Sequence, residues 1–296
     1  MTHRGWLSRV VLVAVLCCAG SLWAQTGPGR PARNDRQQLP RPIYHVAQQL
    51  ADASTPQQAQ AVQPAGHPLD PALQMARSAL DNIQKNVKDY SCMLQKRERI
   101  GSRLNEPEYM FIKVRHEPFS VYTFFVAPAR LKGQEALYVD GKNGNQLQGH
   151  GVGIRKIAGT VSLDPNGALA MQGQRYPITE IGILNLTKRL IEVAESDRQY
   201  GECQVEISQN AKIDNRPCTL IQVTHPQPRR NFKFHKAEVF VDNELNIPVR
   251  YAAYEWPARA GDPPPLLEEY TYYKIKLNNG FTEADFDVSN SNYSFR

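Results

Sequence analysis

Glu268 and Glu269, beside Tyr270, come closest in this chain to an acid/base pair. They serve as one only if a carboxyl loses its solvation and keeps its proton near neutral pH. Adjacent strand residues point to opposite faces, which sets the two apart. His116, His150, His225 and His235 are each isolated in sequence, so a metal centre would need the fold to gather them; places on the surface or in the core account for isolated histidines more simply. The patterns G-x-S-x-G, H-E-x-x-H, C-x-x-C and G-x-x-x-x-G-K-[ST] do not occur, which removes the usual signatures of a serine nucleophile, a zinc protease, a redox dithiol and a phosphate loop. "GHGVGIRK", from Gly149, is rich in glycine but precedes no amphipathic helix whose N-terminus could receive a phosphate. The residues therefore predict a non-enzymatic protein with no catalytic residue, no cofactor and no metal.

The net charge is +6. Arg4 and Arg9 stand without an acid in residues 1–24, and residues 25–68 carry Arg30, Arg33, Arg36 and Arg41 against Asp35 and Asp52, so only +2 belongs to everything after. Nucleic-acid binders concentrate cations on one face, so none is expected as a partner. "KRER", Lys96 to Arg99, reads as the solvated face of a strand.

Residues 1–24 combine Arg4 and Arg9, a short apolar run from Val10 to Ala19, and a small residue, Ala24, before a polar stretch. That is the pattern of a secretory signal peptide cleaved near Ala24. It predicts an exported protein of the periplasm or cell envelope, soluble, with no stable transmembrane anchor. Residues 25–68 are rich in Pro, Gln and Ala, with little to bury, and read as a disordered linker.

From Leu69 the pattern changes. Asp70 and Pro71 begin a helix, and Leu73, Ala76, Leu80, Ile83, Val87 and Tyr90 recur at helical spacing. Strands follow: Met110, Ile112 and Val114 alternate with Lys113 and Arg115, as on a sheet with one covered and one wet face. The same parity appears in Ala237, Val239 and Val241, in Val249, Tyr251 and Ala253, and in Tyr273, Ile275 and Leu277. "FSVYTFFVAP" sets Phe119, Val121 and Phe125 against Tyr122, Phe124 and Val126; neither face is polar, so both must be covered, or one lines a cavity. "VDGKNGN" and "VDNELN" read as hairpin turns. Residues 69–296 thus form one α+β domain, with a helical insertion near 166–196.

Three cysteines follow the signal segment: Cys92, Cys203 and Cys218. A turn at Asn210 and Ala211 places Cys203 opposite Cys218, within disulfide reach. The competing turn "IDNR" separates them. Cys92 reads as a small core hydrophobe.

"KRERIGSRL", "PFSVYTFFVAP", "EALYVDGKN", "GTVSLDPNGALAMQGQRYPITEIGI", "AEVFVDNELNIPVRYAAYEWP" and "EEYTYYKIKLNNGFTEADFD" together resemble an uncharacterised exported family, a domain of unknown function common in planctomycete-type bacteria. That family in turn resembles the LolA/LolB-like lipoprotein-carrier superfamily. The resemblance implies a curved antiparallel sheet, an unclosed β-barrel, with helices packed on its concave face where acyl chains bind; it supplies no catalytic residue.

On that resemblance the candidate cavity and lid comprise Ile112, Val114, Val121, Phe125, Leu137, Val139, Ile181, Ile183, Leu184, Leu186, Val239, Tyr251 and Tyr273. "RYPITEIGILNL", residues 175–186, is apolar nearly all round: Pro177 fixes its entry, Gly182 permits a bend or close approach, and the rest must be buried on several sides. As a lid it yields to lipid; as core it never moves, and packing alone explains the same residues. The function expected is an exported binder of an acyl chain, a lipid or an acylated protein. The alternative is a cell-envelope interaction or sensor module with protein partners and no lipid ligand.

Overall fold

The computed structural model describes residues 66–295. The expected signal segment and nearly all of the linker lie outside the described residues. Helix α1, Asp70–Asn86, carries Pro71 in its first turn, with the Asp70 carboxylate accepting the His67 N–H at 3.0 Å. Proline suits the first turn because that N–H has no intrahelical partner. Leu73 and Ile83 on the inward face are buried.

The strands follow as β1 (Asp89–Ile100), β2 (Arg103–Leu104), β3 (Glu108–Arg115), β4 (Ser120–Ala127), β5 (Glu135–Val139), β6 (Leu147–His150) and β7 (Thr160–Leu163). A single 3₁₀ turn, Ile178–Glu180, leads into helix α2, Ile183–Asp197. Then come β8 (Gln204–Ile213), β9 (Arg216–Thr224), β10 (Lys236–Asp242), β11 (Ile247–Tyr254) and β12 (Leu266–Leu277). All neighbours pair antiparallel in the order β7-β6-β5-β4-β3-β1-β12-β11-β10-β9-β8, with β2 a side pairing on β1. The order is open, as the family resemblance implies: β7 and β8 are its two ends.

One face of the sheet carries the main core. Tyr90, Cys92 and Leu94 of β1, Met110, Ile112 and Val114 of β3, and Val121 and Phe125 of β4 bury there together with Ile83 and Ile183 of the helices. A second cluster on β9–β12 packs against Leu69, Ala72 and Leu73 at the start of α1 and Ile191 of α2. Among the described residues no helix is long and apolar enough to cross a membrane.

The other face is not wet where the alternation of β3 predicts it to be. Tyr122, Leu137 and Val139 are covered by Phe286, Tyr293 and Phe295 of the C-terminal segment, and the rings of Tyr122 and Tyr293 stack at 3.9 Å. Lys113 and Arg115 are turned against that segment, to Asp285 at 3.0 Å and Glu283 at 2.6 Å. The segment begins where the buried Asp89 carboxylate accepts the N–H groups of Asn279, Gly280 and Phe281. Both apolar faces of β4 are therefore buried, one in the core and one under the chain terminus.

Two further expectations are corrected. The β8–β9 hairpin turns at Asp214 and Asn215, both in the left-handed region, so Cys218 lies opposite Ala211 and Cys203 lies before β8. Both thiols are free and buried, and no bridge joins them. Asp and Asn tolerate left-handed backbone, which is why the "IDNR" turn prevails. The parity of β12 also breaks: Lys274 takes φ +53, and the register shifts, so Ile275 and Leu277 pack on the core while Tyr273 pairs with Met93 on the opposite face.

Gly182 enters α2 at φ +117, and an added Cβ would stand 2.9 Å from the Tyr90 hydroxyl, which accepts the Ile183 N–H at 2.9 Å. Gly182→Ala is expected to lose about 1–3 kcal/mol from the backbone alone, plus the displacement of Tyr90. The urea midpoint measures it; an unchanged midpoint would mean that α2 enters the core in some other way.

Candidate functional site

The alternation of β1 carries its even-numbered residues inward from apolar Leu94 to charged Lys96 and Glu98. On β12, Glu268, Tyr270 and Tyr272 share that face, and Ile221, Val223, Ala237, Val239 and Tyr251 continue it across β9–β11. Helices α1 and α2 lie over these strands and leave a cavity of about 220 Å³. Ala72, Ala76 and Ala79 form the α1 wall; small side chains one and two turns apart keep that wall thin. Leu186, Leu190, Val193 and Ala194 form the α2 wall.

One end of the cavity is a buried polar network. Glu98 and Glu268 are cross-strand partners and each only 3% exposed. Two carboxylates directly opposite each other are destabilising unless compensated. Arg175 compensates: its Nε donates to Glu268 at 2.7 Å, its backbone N–H to Glu98 at 3.1 Å and its Nη1 to the Arg99 carbonyl at 3.0 Å. The Tyr270 hydroxyl donates to Glu98 at 2.6 Å and the Tyr176 hydroxyl to Glu268 at 3.2 Å. Lys96 bridges Glu98 at 3.5 Å and Glu108 at 3.2 Å and donates to Gln174. Burial raises the Glu268 carboxyl above the ordinary carboxylate range, with Arg175 pulling the other way. Burial and Glu268 together push the Tyr176 phenol up to about 12. The start of segment 175–186 is thereby tied to β1 and β12.

The other end holds Asp197, the last residue of α2, only 2% exposed. Burial pushes its carboxyl up to about 6, against the pull of Lys233. His225 Nε2 lies 3.4 Å from Asp197 Oδ2, and the imidazole stacks on Phe232 at 3.9 Å. Its Nδ1 is 3.1 Å from the Phe234 carbonyl. A carbonyl only accepts, so Nδ1 carries the proton and Nε2 of the neutral ring is an acceptor. Burial holds the His225 pKa down, and Nε2 has no hydrogen-bond partner.

Of the sequence-derived candidates, Ile181, Leu186, Val239 and Tyr251 line this cavity. Ile112, Val114, Val121, Phe125 and Ile183 lie in the filled core beside it, with Leu184 packed against them. Leu137 and Val139 sit on the opposite face, under the C-terminal segment, and Tyr273 is carried to that face by the bulge. "KRER" is not a solvated strand face: Lys96 and Glu98 are buried. Sequence reasoning missed Lys96, Glu98, Arg175, Tyr176, Asp197 and Tyr270. The parity of β1, continued two residues further, points to the first two; nothing local marks the others. The neighbours Glu268 and Glu269 do face apart, Glu269 pairing with Arg250 at 2.9 Å. The Cys92 thiol is raised well above its usual range by burial, and those of Cys203 and Cys218 to about 11. Among the described residues no group of three or more His, Cys, Asp or Glu is placed to hold a metal ion.

The family model described as "Protein of unknown function (DUF1571)" matches residues 87–295, and the chain belongs to that family. No curated protein matches the sequence. Among solved structures the chain is similar to a LolA superfamily protein from Nitrosomonas europaea, at 13% identity over 72% of this chain and 97% of that one, TM-score 0.30. It is similar to the Mycobacterium tuberculosis lipoprotein LppX, at 14% identity over 71% of this chain and 98% of that one, TM-score 0.39. A chain of the Pseudomonas aeruginosa MucA/MucB complex is similar at 15% identity over 73% of this chain and 60% of that one, TM-score 0.41.

A buried carboxyl whose pKa rises from 3.8 to about 6 binds its proton more tightly folded than unfolded. Stability at this site therefore increases as pH falls through 6 towards 4, by up to about 3 kcal/mol. Asp197→Asn, neutral throughout, is expected to be more stable than the wild type at about pH 8, with the gap closing near pH 4. Urea melts at both pH values check this; a gap that ignores pH would mean that Asp197 titrates normally.

Proposed function

We propose that this DUF1571 protein is a non-enzymatic binding protein that holds an acyl chain, of a lipid or of a lipid-modified protein, between its two helices and its sheet, with segment 175–186 as the lid. The observation that carries this reading is the unfilled apolar space under α1 and α2. Leu186, Leu190 and Val193 line it and are only part-buried, whereas a finished core packs such side chains closely. Its volume of about 220 Å³ exceeds that of a void of roughly 150 Å³ that accepts benzene and falls short of the roughly 300–1,000 Å³ of most ligand sites. The closed form thus admits a short apolar group, and a long chain requires Ile181 and Leu186 to move aside. Each methylene buried contributes about 0.8 kcal/mol, so a chain of roughly ten outweighs a polar restraint of several kcal/mol. The signal-like pattern of residues 1–24 supports an exported, periplasmic or envelope setting for this binding.

Native mass spectrometry of the protein purified without detergent, followed by solvent extraction, tests the reading. A stoichiometric adduct that extracts as lipid is expected. A clean mass that also refuses added fatty alcohol, fatty acid and phospholipid would overturn it and favour an interaction module. Ala76→Phe fills the cavity from α1 and is expected to weaken uptake of an apolar dye about tenfold or more, at a packing cost of about 1–3 kcal/mol. Arg175→Ala releases the start of the lid and is expected to speed dye exchange several-fold in stopped flow. Reduced stability with unchanged exchange would identify 175–186 as fixed core.

A further inference from the structure

The two ends of the cavity differ in what they leave unsatisfied. At the Arg175 end, the cations Lys96 and Arg175 are already engaged by Glu98, Glu108 and Glu268. Of the other lining cations, Arg189 is exposed and lies 3.8 Å from Glu192. At the other end, among the described residues, no hydrogen-bond donor reaches the Asp197 carboxylate. His225 Nε2, fully buried and without a hydrogen-bond partner, stands 3.4 Å from it. Two acceptors thus face each other at 3.4 Å with no donor between them, and a buried acceptor left unsatisfied is costly. Asp197 lines the cavity, so a bound molecule can supply the missing donor.

We propose that the Asp197 end of the cavity is a subsite for a neutral hydroxyl head, so that the preferred ligand is a hydroxyl-bearing amphiphile whose O–H donates to Asp197 and whose chain runs between the helices towards Tyr270. This deepens the reading of the cavity as an acyl-chain site and rests on it. The groups facing Asp197 select this head. The exposed Lys233 ammonium also lines that end and already offsets the carboxylate charge, so a second cation there meets repulsion. A carboxylate head meets the Asp197 charge at close range. An ether brings no donor. A hydroxyl supplies the donor without burying a charge.

The test is displacement of an apolar dye from the full-length protein at about pH 7.5 by decanol, methyl decyl ether, decanoate and decylamine. Decanol is expected to bind about tenfold more tightly than the ether, and decanoate more weakly than either. In Asp197→Leu, which keeps the branched outline of the side chain and removes the acceptor, the preference for decanol over the ether, each measured against that variant's own dye affinity, is expected to disappear. Equal affinities for all four, tightest binding of decanoate or decylamine, or a preference for decanol retained in Asp197→Leu would overturn the hydroxyl subsite and leave the acyl-chain reading standing. Failure of the dye and of all four compounds to bind would overturn both.

Discussion

Everything else in the structure hangs on the pairing of β1 with β12. β1 sits in the middle of the strand order, between the strands that precede α2 and those that follow it. Its inward face runs from Tyr90 through Cys92 and Leu94 to Lys96 and Glu98. The same strand therefore supplies the hydroxyl that receives α2, the apolar wall of the core and the charged rim of the cavity. A strand fixed by neighbours on both sides can hold groups of such different character in one line because the ladder, and not the side chains, sets their spacing.

That arrangement has an electrostatic consequence. Bringing Glu98 opposite Glu268 places two buried carboxylates where each raises the energy of the other, and their two negative charges are met by Lys96 and Arg175 with hydroxyls from Tyr176 and Tyr270. Breaking one member of such a network leaves charges buried without partners, which costs more than the intact network contributes. The segment bearing Arg175 and Tyr176 is held by this network, while a few residues further on Ile181 and Leu186 pack against the main core and line the cavity. Under the function proposed above, the polar attachment at 175–176 is the anchor of the lid and the apolar stretch beyond it the part that would move.

Each helix is pinned in both clusters, α1 by Ala72, Leu73 and Ile83 and α2 by Ile183 and Ile191, and the cavity lies between the pinned points. Gly182 lets α2 come down beside Tyr90, Ile183 is driven into the main core, and Ile191 reaches the second cluster over β9–β12. Between these two points of contact, α1 offers alanines where larger side chains would close the gap. The space is thus a product of where the helices are pinned and of how little α1 puts between them.

Much of this was legible without coordinates. The alternation of β3, β4 and β10 placed their apolar residues on shared faces, Asp70 and Pro71 marked the start of α1, the turn residues of "VDNELN" marked a hairpin, and the density of apolar residues in 175–186 required burial on several sides with Gly182 at a close approach. These are properties of neighbours in sequence, set by the periods of strand and helix and by backbone sterics. Tertiary structure alone decided the rest. Which of two turns closes the β8–β9 hairpin separated Cys203 from Cys218; a single left-handed residue, Lys274, turned Tyr273 away from the core; the C-terminal segment buried a face that looked wet; and Lys96, Glu98, Arg175 and Glu268, far apart in the chain, met at one end of a cavity whose other end is Asp197. The physical reason is that periodicity specifies which residues share a face, whereas register, bulges and the packing of distant segments specify what that face meets.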